Sequence, residues 1–469
     1  MVANIRYPKN SDRRSEGLGY RGYALGSQPR WLADFISSLH FDKDICPYVI
    51  DVLIVHINEL ERKGYVSSED AKTLKELLEQ FDCSADFDGY EDIHEAIEYY
   101  LIERTGAAKQ INLGKSRNDQ VATAIRLRVR EELLESATAL YHLLKALYAK
   151  AKLHEEVFFP TFTHLQPAQP ANFGLFLTNF AEEIVDSFGL LEVALEITDK
   201  CPLGAAAAAG STVDLDRRRR CEELCFKDLA YNTLYATTSR DFALVSLGAL
   251  ASLSIPLLRF VEDVFVYATP PFSLIRVPLD HAGTSSIMPH KKNPATLEVV
   301  RAELSKLLGH YVSAFSILKG LTSGYNLDLQ QLTPLLWQAF KTFRKSVIVI
   351  TDFLWKMEVN EERAKEFLRY PLLAADLAEY LVKNKGLTFR DAYATVARAL
   401  KEHNDDLARA AEGLVGDEWK VVEKGALTFR KAPGAPGNLG PVFVKIERAM
   451  SRIARLVVVR EELRQCPNS

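Results

Sequence analysis

From about residue 118 to 152 the chain reads NDQVATAIRLRVREELLESATALYHLLKALYAKAK, with apolar residues at three- and four-residue intervals and no Gly or Pro. That spacing predicts one long amphipathic helix. Similar patterns over about 171–199, 240–268, 294–320 and 328–358 predict four more, with Pro334 marking a kink or first turn in the last. At 1.5 Å per residue, helices of about 25–35 residues reach about 40–50 Å, a length that suits a bundle. Several are apolar on more than one stripe, residues 242–258 most clearly, and one chain cannot cover them all. The bundle is therefore expected to continue into neighbouring copies.

Shorter elements flank the bundle. Helices are predicted near 45–63 and 67–81, and a C-terminal segment begins at about 360 and contains the loop APGAPGNLGP at 432–441. No period-2 series or internal repeat stands out. The expectation is an all-α chain in three parts: 1–112, a central bundle at 113–360, and 361–469. A length of 469 residues, beyond what one core usually organises, agrees.

Charge and cysteines narrow the class. With 58 basic against 62 acidic residues the net charge is −4, which argues against a surface built for nucleic acid. Cys46, Cys83, Cys201, Cys221, Cys225 and Cys466 are too scattered for a secreted disulfide scaffold, so reduced thiols in a cytoplasmic protein are expected. The N-terminus lacks the apolar core of a signal peptide, and 242–258 falls short of the ~20 residues that cross a bilayer. A soluble protein without a membrane partner follows as an expectation.

Several signals have plain readings. The GLGYRG of 17–22 matches GxGxxG, but no strand–turn–helix pattern surrounds it, so it is read as an N-terminal loop. Arg217 to Arg220 read as the start of a solvated helix capped by Asp214 or Asp216. Cys221 and Cys225 have no second His/Cys pair nearby to make a metal site.

Four polar stretches interrupt the helical pattern: Ser116-Arg-Asn-Asp-Gln120, Thr163-His-Leu-Gln-Pro-Ala-Gln-Pro170, Gly283-Thr-Ser-Ser-Ile-Met-Pro-His-Lys-Lys-Asn-Pro294 and Tyr325-Asn-Leu-Asp-Leu-Gln330. Taken singly, the first could be an N-cap, the second a turn and the last a cap. Together, at the ends of long helices, they suggest one composite site.

GTSSIMPHKKNP resembles the GSSxMPxKxNP signature of the fumarase/aspartase superfamily. Within it, Glu91-Asp-Ile-His94, SRNDQVAT at 116–123, THLQ at 163–166 and YNLDLQ at 325–330 resemble the argininosuccinate lyase family, over about residues 36–400. The resemblance implies a three-domain all-α fold, a homotetramer and active sites built from loops of three subunits. It also implies release of fumarate and arginine from argininosuccinate, with no metal or organic cofactor.

Proton removal beside a carboxylate builds negative charge that such a site must stabilise as it forms. By the resemblance Ser285 takes the Cβ proton, while Lys291 and Asn293 hold the charge that accumulates and Gly283 lets the loop close. His164, oriented by Glu298, serves the leaving nitrogen, although either residue of the Ser285/His164 pair has been read as acid or base. Arg117 would grip a carboxylate, with Ser116, Asn118 and Thr163 as neutral donors and Gln166 beside them. Ser38, Asp42, Asp92, Tyr325 and Gln330 would form the arginine side, where Asp42 or Asp92 meets the guanidinium.

The sequence departs from the family at Lys115 (usually Arg), Leu113, Ala205-Ala206 (usually Ser-Gly), and Leu327 and Thr333 (usually Lys). RGYALG stands roughly where the family has Trp-Gly-Gly-Arg-Phe. These changes keep two alternatives in view: adenylosuccinate lyase or another fumarate-releasing lyase, and an inactive crystallin-like homologue. A helical binding protein would leave the polar loops unexplained.

Overall fold

The computed structural model describes residues 29–87, 89–463 and 466. The GLGYRG and RGYALG segments lie outside them. The N-terminal part holds α1 (Cys46–Arg62), α2 (Ser68–Glu79) and α3 (Ile93–Ile102). The bundle follows as α4 (Arg117–Leu153), α5 (Phe173–Thr198), α6 (Asp241–Tyr267), α7 (Ala295–Leu318) and α8 (Thr333–Lys356). These match the predicted helices to within a few residues, and Pro334 lies in the first turn of α8, where its missing N–H costs nothing.

The C-terminal part is α9 (Ala374–Lys385), α10 (Phe389–Glu402), α11 (Leu407–Val415), α12 (Trp419–Lys424) and α13 (Gly440–Leu463). One continuous core runs from Ile45 and Val49 through the bundle to Phe443, Ile446 and Ile453, so α13 packs back on α4 and α5. A second, smaller core joins Leu377, Leu381, Val396 and Val422.

Local chemistry fixes where α4 starts. Ser116 Oγ accepts from the Asn118 N–H, and the Asp119 carboxylate accepts from the Ser116 N–H, a capping box that satisfies orphan donors at both positions. Further along, the buried Arg126 donates to the carbonyls of Ile197 and Thr198, and Arg130 pairs with Asp199 at 2.9 Å. Both arginines thus complement the negative C-terminal end of α5 and fix its position against α4. By length and composition α6 is apolar enough to cross a membrane. It packs among α5, α7 and α8, with Phe242, Leu250, Leu253, Leu257 and Val261 buried.

Contacts give the helices their directions. Arg344 on α8 bonds Glu132 and Glu135 on α4, and Lys150 near the end of α4 donates to the Leu354 carbonyl near the end of α8, so these two run parallel. Tyr311 lies against Gly248 and Arg301 against Glu262, so α7 runs antiparallel to α6. One end of the bundle therefore gathers the starts of α4, α6 and α8. The other gathers their C-terminal ends and the start of α7.

Three sequence expectations are corrected. The THLQPAQP stretch is not a plain loop: Phe158–Thr163 (β1) and Gln166–Asn172 (β2) pair as an antiparallel hairpin with a bulge near Pro160 and Phe162. Pro160, Pro167 and Pro170 hid it, because proline demotes a strand reading. The cysteines are not reduced either: Cys46–Cys83, Cys201–Cys221 and Cys225–Cys466 are disulfides, with Cα atoms 5.9, 5.6 and 6.2 Å apart. Spacing along the chain carried no sign of partners 37, 20 and 241 residues away.

The arginine run is only half solvated. Asp216 caps its helix, Arg218 and Arg219 are exposed, but Arg220 is buried beside His56 and Arg217 donates to the Leu203 and Ala230 carbonyls.

We predict that thiol titration of unfolded, non-reduced protein finds no free thiol and that reduction exposes all six cysteines. The pair Cys225→Ser, Cys466→Ser should lower stability by about 2–5 kcal/mol, read as a fall in Tm. Six reactive thiols without reductant would contradict the pairing.

Candidate active site

The sequence-predicted residues fall into three groups. The first lines a cavity of about 200 Å³ at the end where α4 and α8 begin, and comprises Ser38, Asp42, Asp92, Arg117, Asn118, Tyr325 and Gln330. Each is positioned by local structure. Asp92 caps α3 by accepting from the Glu95 N–H, and its other oxygen takes Arg117 Nη1 at 3.1 Å. Ser38 donates to Asp42 Oδ2 at 2.6 Å, and Asn118 donates to the Ala207 carbonyl. Ser116 is taken up by the helix cap and does not line the cavity.

Burial sets the electrostatics of this cavity. Loss of solvent pushes the Asp42 carboxyl up to about 7, against the lowering effect of its bond from Ser38. It also lowers the Lys115 ammonium, which stands where the family has arginine, to about 8; Lys115 bonds Asn112 and Gln120 behind the cavity.

Sequence reasoning assigned no role to two residues found here. Neither ring nitrogen of His94 has a hydrogen-bond partner among the described residues, and burial lowers the ring to about 4. Arg240, fully buried, donates to the Thr237 and Ser239 carbonyls and brings a second guanidinium into the cavity that Leu327 and Thr333 also line. The signals were present, as the His of EDIH and as the Arg-Asp that opens a predicted helix, but no local pattern said that either faced a cavity.

The second group is the tip of the β1–β2 hairpin. Thr163 pairs with Gln166, leaving His164 and Leu165 as a two-residue turn with φ of 56° and 57°. Positive φ at both central positions is the geometry of a type I′ hairpin turn, which ordinarily takes Asn or Gly. Two bulky residues there store backbone strain of the kind that collects at functional sites. His164 is held out into solvent.

The third group is the signature loop. Gly283 and Asn293 close its base with two backbone bonds of 2.8 and 2.9 Å, and a Cβ on Gly283 would lie 2.9 Å from the Ala295 Cβ. Glycine is thus needed for close approach at a fixed stem. Within the loop Ser285 Oγ accepts from the N–H groups of Ile287 and Met288 at 3.3 and 3.1 Å, donors suited to stabilise an alkoxide. The Lys291 N–H donates to the Met288 carbonyl, and Glu298 sits exposed in the first turn of α7.

One chain does not bring the three groups together: neither His164 nor Ser285 lines the cavity. Arg117 and the hairpin sit at opposite ends of the 37-residue α4, about 55 Å long. Thr333 lines the cavity whereas Asp352, on the same helix, bonds the stem of the signature loop through His281. These positions are about 28 Å apart at 1.5 Å per residue.

A long bundle with polar loops at both ends is a known architecture. Residues 26–309 match the family model described as Lyase. The fold is similar to a solved EDDS lyase, with TM-score 0.81 and 23% identity over 94% of this chain and 92% of that one. It is also similar to a class II fumarase from Schistosoma mansoni, with TM-score 0.71 and 17% identity over 81% and 89%. The chain has the all-α fumarase/aspartase-like fold.

Closer relatives narrow the class. Residues 371–432 match the model for the argininosuccinate lyase C-terminal region. The chain is 37% identical to an argininosuccinate lyase of Pyrococcus furiosus over 96% of its own length and 98% of the relative's. It is 36% identical to that of Pyrobaculum calidifontis, over 88% and 99%. It belongs to the argininosuccinate lyase family, whose members are carbon–nitrogen lyases.

The raised pKa of Asp42 means that the folded state binds its proton more tightly than the unfolded chain does, so wild type loses stability as pH climbs from about 4 to 7. We predict that Asp42→Asn gains on wild type across that window, by at most about 4 kcal/mol, in Tm measured against pH. A difference that shrinks as pH rises would contradict the assignment.

Proposed function

We propose that the chain catalyses reversible elimination of L-arginine from argininosuccinate to give fumarate, the last step of arginine biosynthesis, as a cytoplasmic homotetramer whose sites draw on several copies. The observation that carries this reading is the sorting of chemistry between the ends of the bundle. One end holds carboxylates and guanidinium groups around a cavity. The other holds Ser285, with N–H donors on its oxygen, and His164 on a strained turn. No small molecule bridges about 28 Å, so catalysis requires one copy's cavity to meet the far end of others.

In this reading Asp42 and Asp92 receive the guanidinium, with Ser38, Tyr325 and Gln330 around it. Arg117 turns from Asp92 to a substrate carboxylate, and Asn118, Thr163 and Gln166 supply neutral contacts. Ser285 exchanges the Cβ proton while Lys291 and Asn293 hold the developing negative charge. His164, with Glu298, serves the leaving nitrogen. Arg240 supplies the positive charge that Leu327 and Thr333 no longer give.

An exposed apolar stripe supports assembly: Leu308, Val312 and Phe315 follow one face of α7, with Val299 on the same helix and Ile255 and Ile348 on its neighbours. The division at 112 and 360 goes with this reading, the middle part serving as the shared bundle. Three disulfides depart from the usual reduced thiols of a cytoplasmic protein, a rule to which intracellular proteins of hyperthermophiles are the known exception.

We predict that purified protein releases fumarate from argininosuccinate, followed by ultraviolet absorbance. Release from adenylosuccinate alone would transfer the assignment to that substrate. Ser285→Ala and His164→Asn should each lower kcat by about 10²–10⁴-fold with native mass unchanged, Tm staying level in the first and not falling in the second, where Asn suits the turn. Near-normal turnover in either would remove that residue from the chemistry.

A further inference from the structure

Just outside the signature loop, His281 is buried while the loop tip is exposed. Its Nδ1 lies 2.8 Å from Thr296 Oγ1 and its Nε2 lies 2.8 Å from Asp352 Oδ2. Thr296 belongs to the first turn of α7, two residues before Glu298; Asp352 belongs to α8. One imidazole therefore ties the incoming strand of the loop to its outgoing stem and both to a core helix. The ring also meets Phe353 edge-on, with centroids 5.2 Å apart.

The arrangement is ordered by charge. Lys356 Nζ lies 2.5 Å from Asp280 and 2.6 Å from Asp352, and its bond to Asp352, followed by that of His281, holds the carboxyl below its ordinary range. An ionised Asp352 accepts only, so Nε2 carries the proton and donates. Nδ1 is then oriented at the Thr296 hydroxyl, as the second nitrogen of an imidazole is fixed by the partner of the first. The Gly283–Asn293 bridge closes the base one step further out. Ser285 is two residues beyond Gly283, so its position relative to α8 follows from these bonds.

We propose that His281 is a positioning residue for the signature loop: through Thr296 and Asp352 it sets where Ser285 and Glu298 stand, so that its loss lowers turnover more than substrate binding. The kinetic part rests on the reading that this loop carries the proton transfer. Misplacement of a reacting group by about 1 Å costs up to about 10²-fold in rate.

The test uses the full-length protein with His281→Ala, His281→Gln and Thr296→Val, and two readouts. Amide hydrogen exchange over residues 284–292, without substrate, should quicken by about tenfold in His281→Ala while the core of α4 stays as in wild type. In fumarate release from argininosuccinate, kcat should fall by about 10- to 100-fold with KM within about threefold. His281→Gln, which keeps a donor for Asp352, should recover most of the loss, and Thr296→Val should give an intermediate one. Loop exchange in His281→Ala within about twofold of wild type would overturn the proposal, as would loss appearing only in KM. The exchange readout needs no turnover, so it decides the positioning role even if argininosuccinate is not the substrate. If His281→Ala fails to fold, Thr296→Val carries the same two outcomes.

Discussion

The rigidity of α4 is the constraint on which the rest depends. A helix of 37 residues without Gly or Pro holds whatever lies before it and whatever lies after it about 55 Å apart. The capping box of Ser116 and Asp119 fixes one end, and Lys150, donating to carbonyls at the end of α8, fixes the other. Arg126 and Arg130 set its alignment with α5. With that frame in place, the cavity and the reactive loops stand at opposite ends of each chain. On the proposed reading, catalysis then needs several copies, and the exposed apolar face of α7 is a surface on which they could meet.

Two kinds of local order sharpen the ends of this frame. The hairpin tip forces His164 and Leu165 into backbone conformations that neither favours, and the signature loop is closed at its base by Gly283 and Asn293. Both devices restrict where the side chains of the tip can be while leaving them exposed. Ala206 repeats the theme at lower cost: it occupies φ of 52° where relatives in the family use glycine, held there by the N–H bond from its backbone to buried Asp119.

Much of this was legible in the sequence for definite reasons. The long helices declared themselves because their apolar spacing is local, and the polar loops did so because they break it. Residues that share an end of the bundle, such as Asp42, Asp92, Asn118 and Tyr325, could be grouped only through a family resemblance. What stayed hidden was non-local or conformational. Cys225 and Cys466 are 241 residues apart, the prolines of β1 and β2 argue against the strands they occupy, and Arg240 and His281 sit in helix-start and turn positions that look routine. The place of each is set by the fold around it and by nothing in its immediate sequence.

The claim that one site is built from separate chains is tested most directly by mixing two inactive variants, Arg117→Ala from the cavity end and Ser285→Ala from the loop end. After dissociation and reassembly, hybrids should regain up to about a quarter of wild-type fumarate release, because some sites then draw an intact cavity from one chain and an intact loop from another. If native mass measurements show hybrids and activity stays at the level of the separate variants, the site lies within one chain and the account fails.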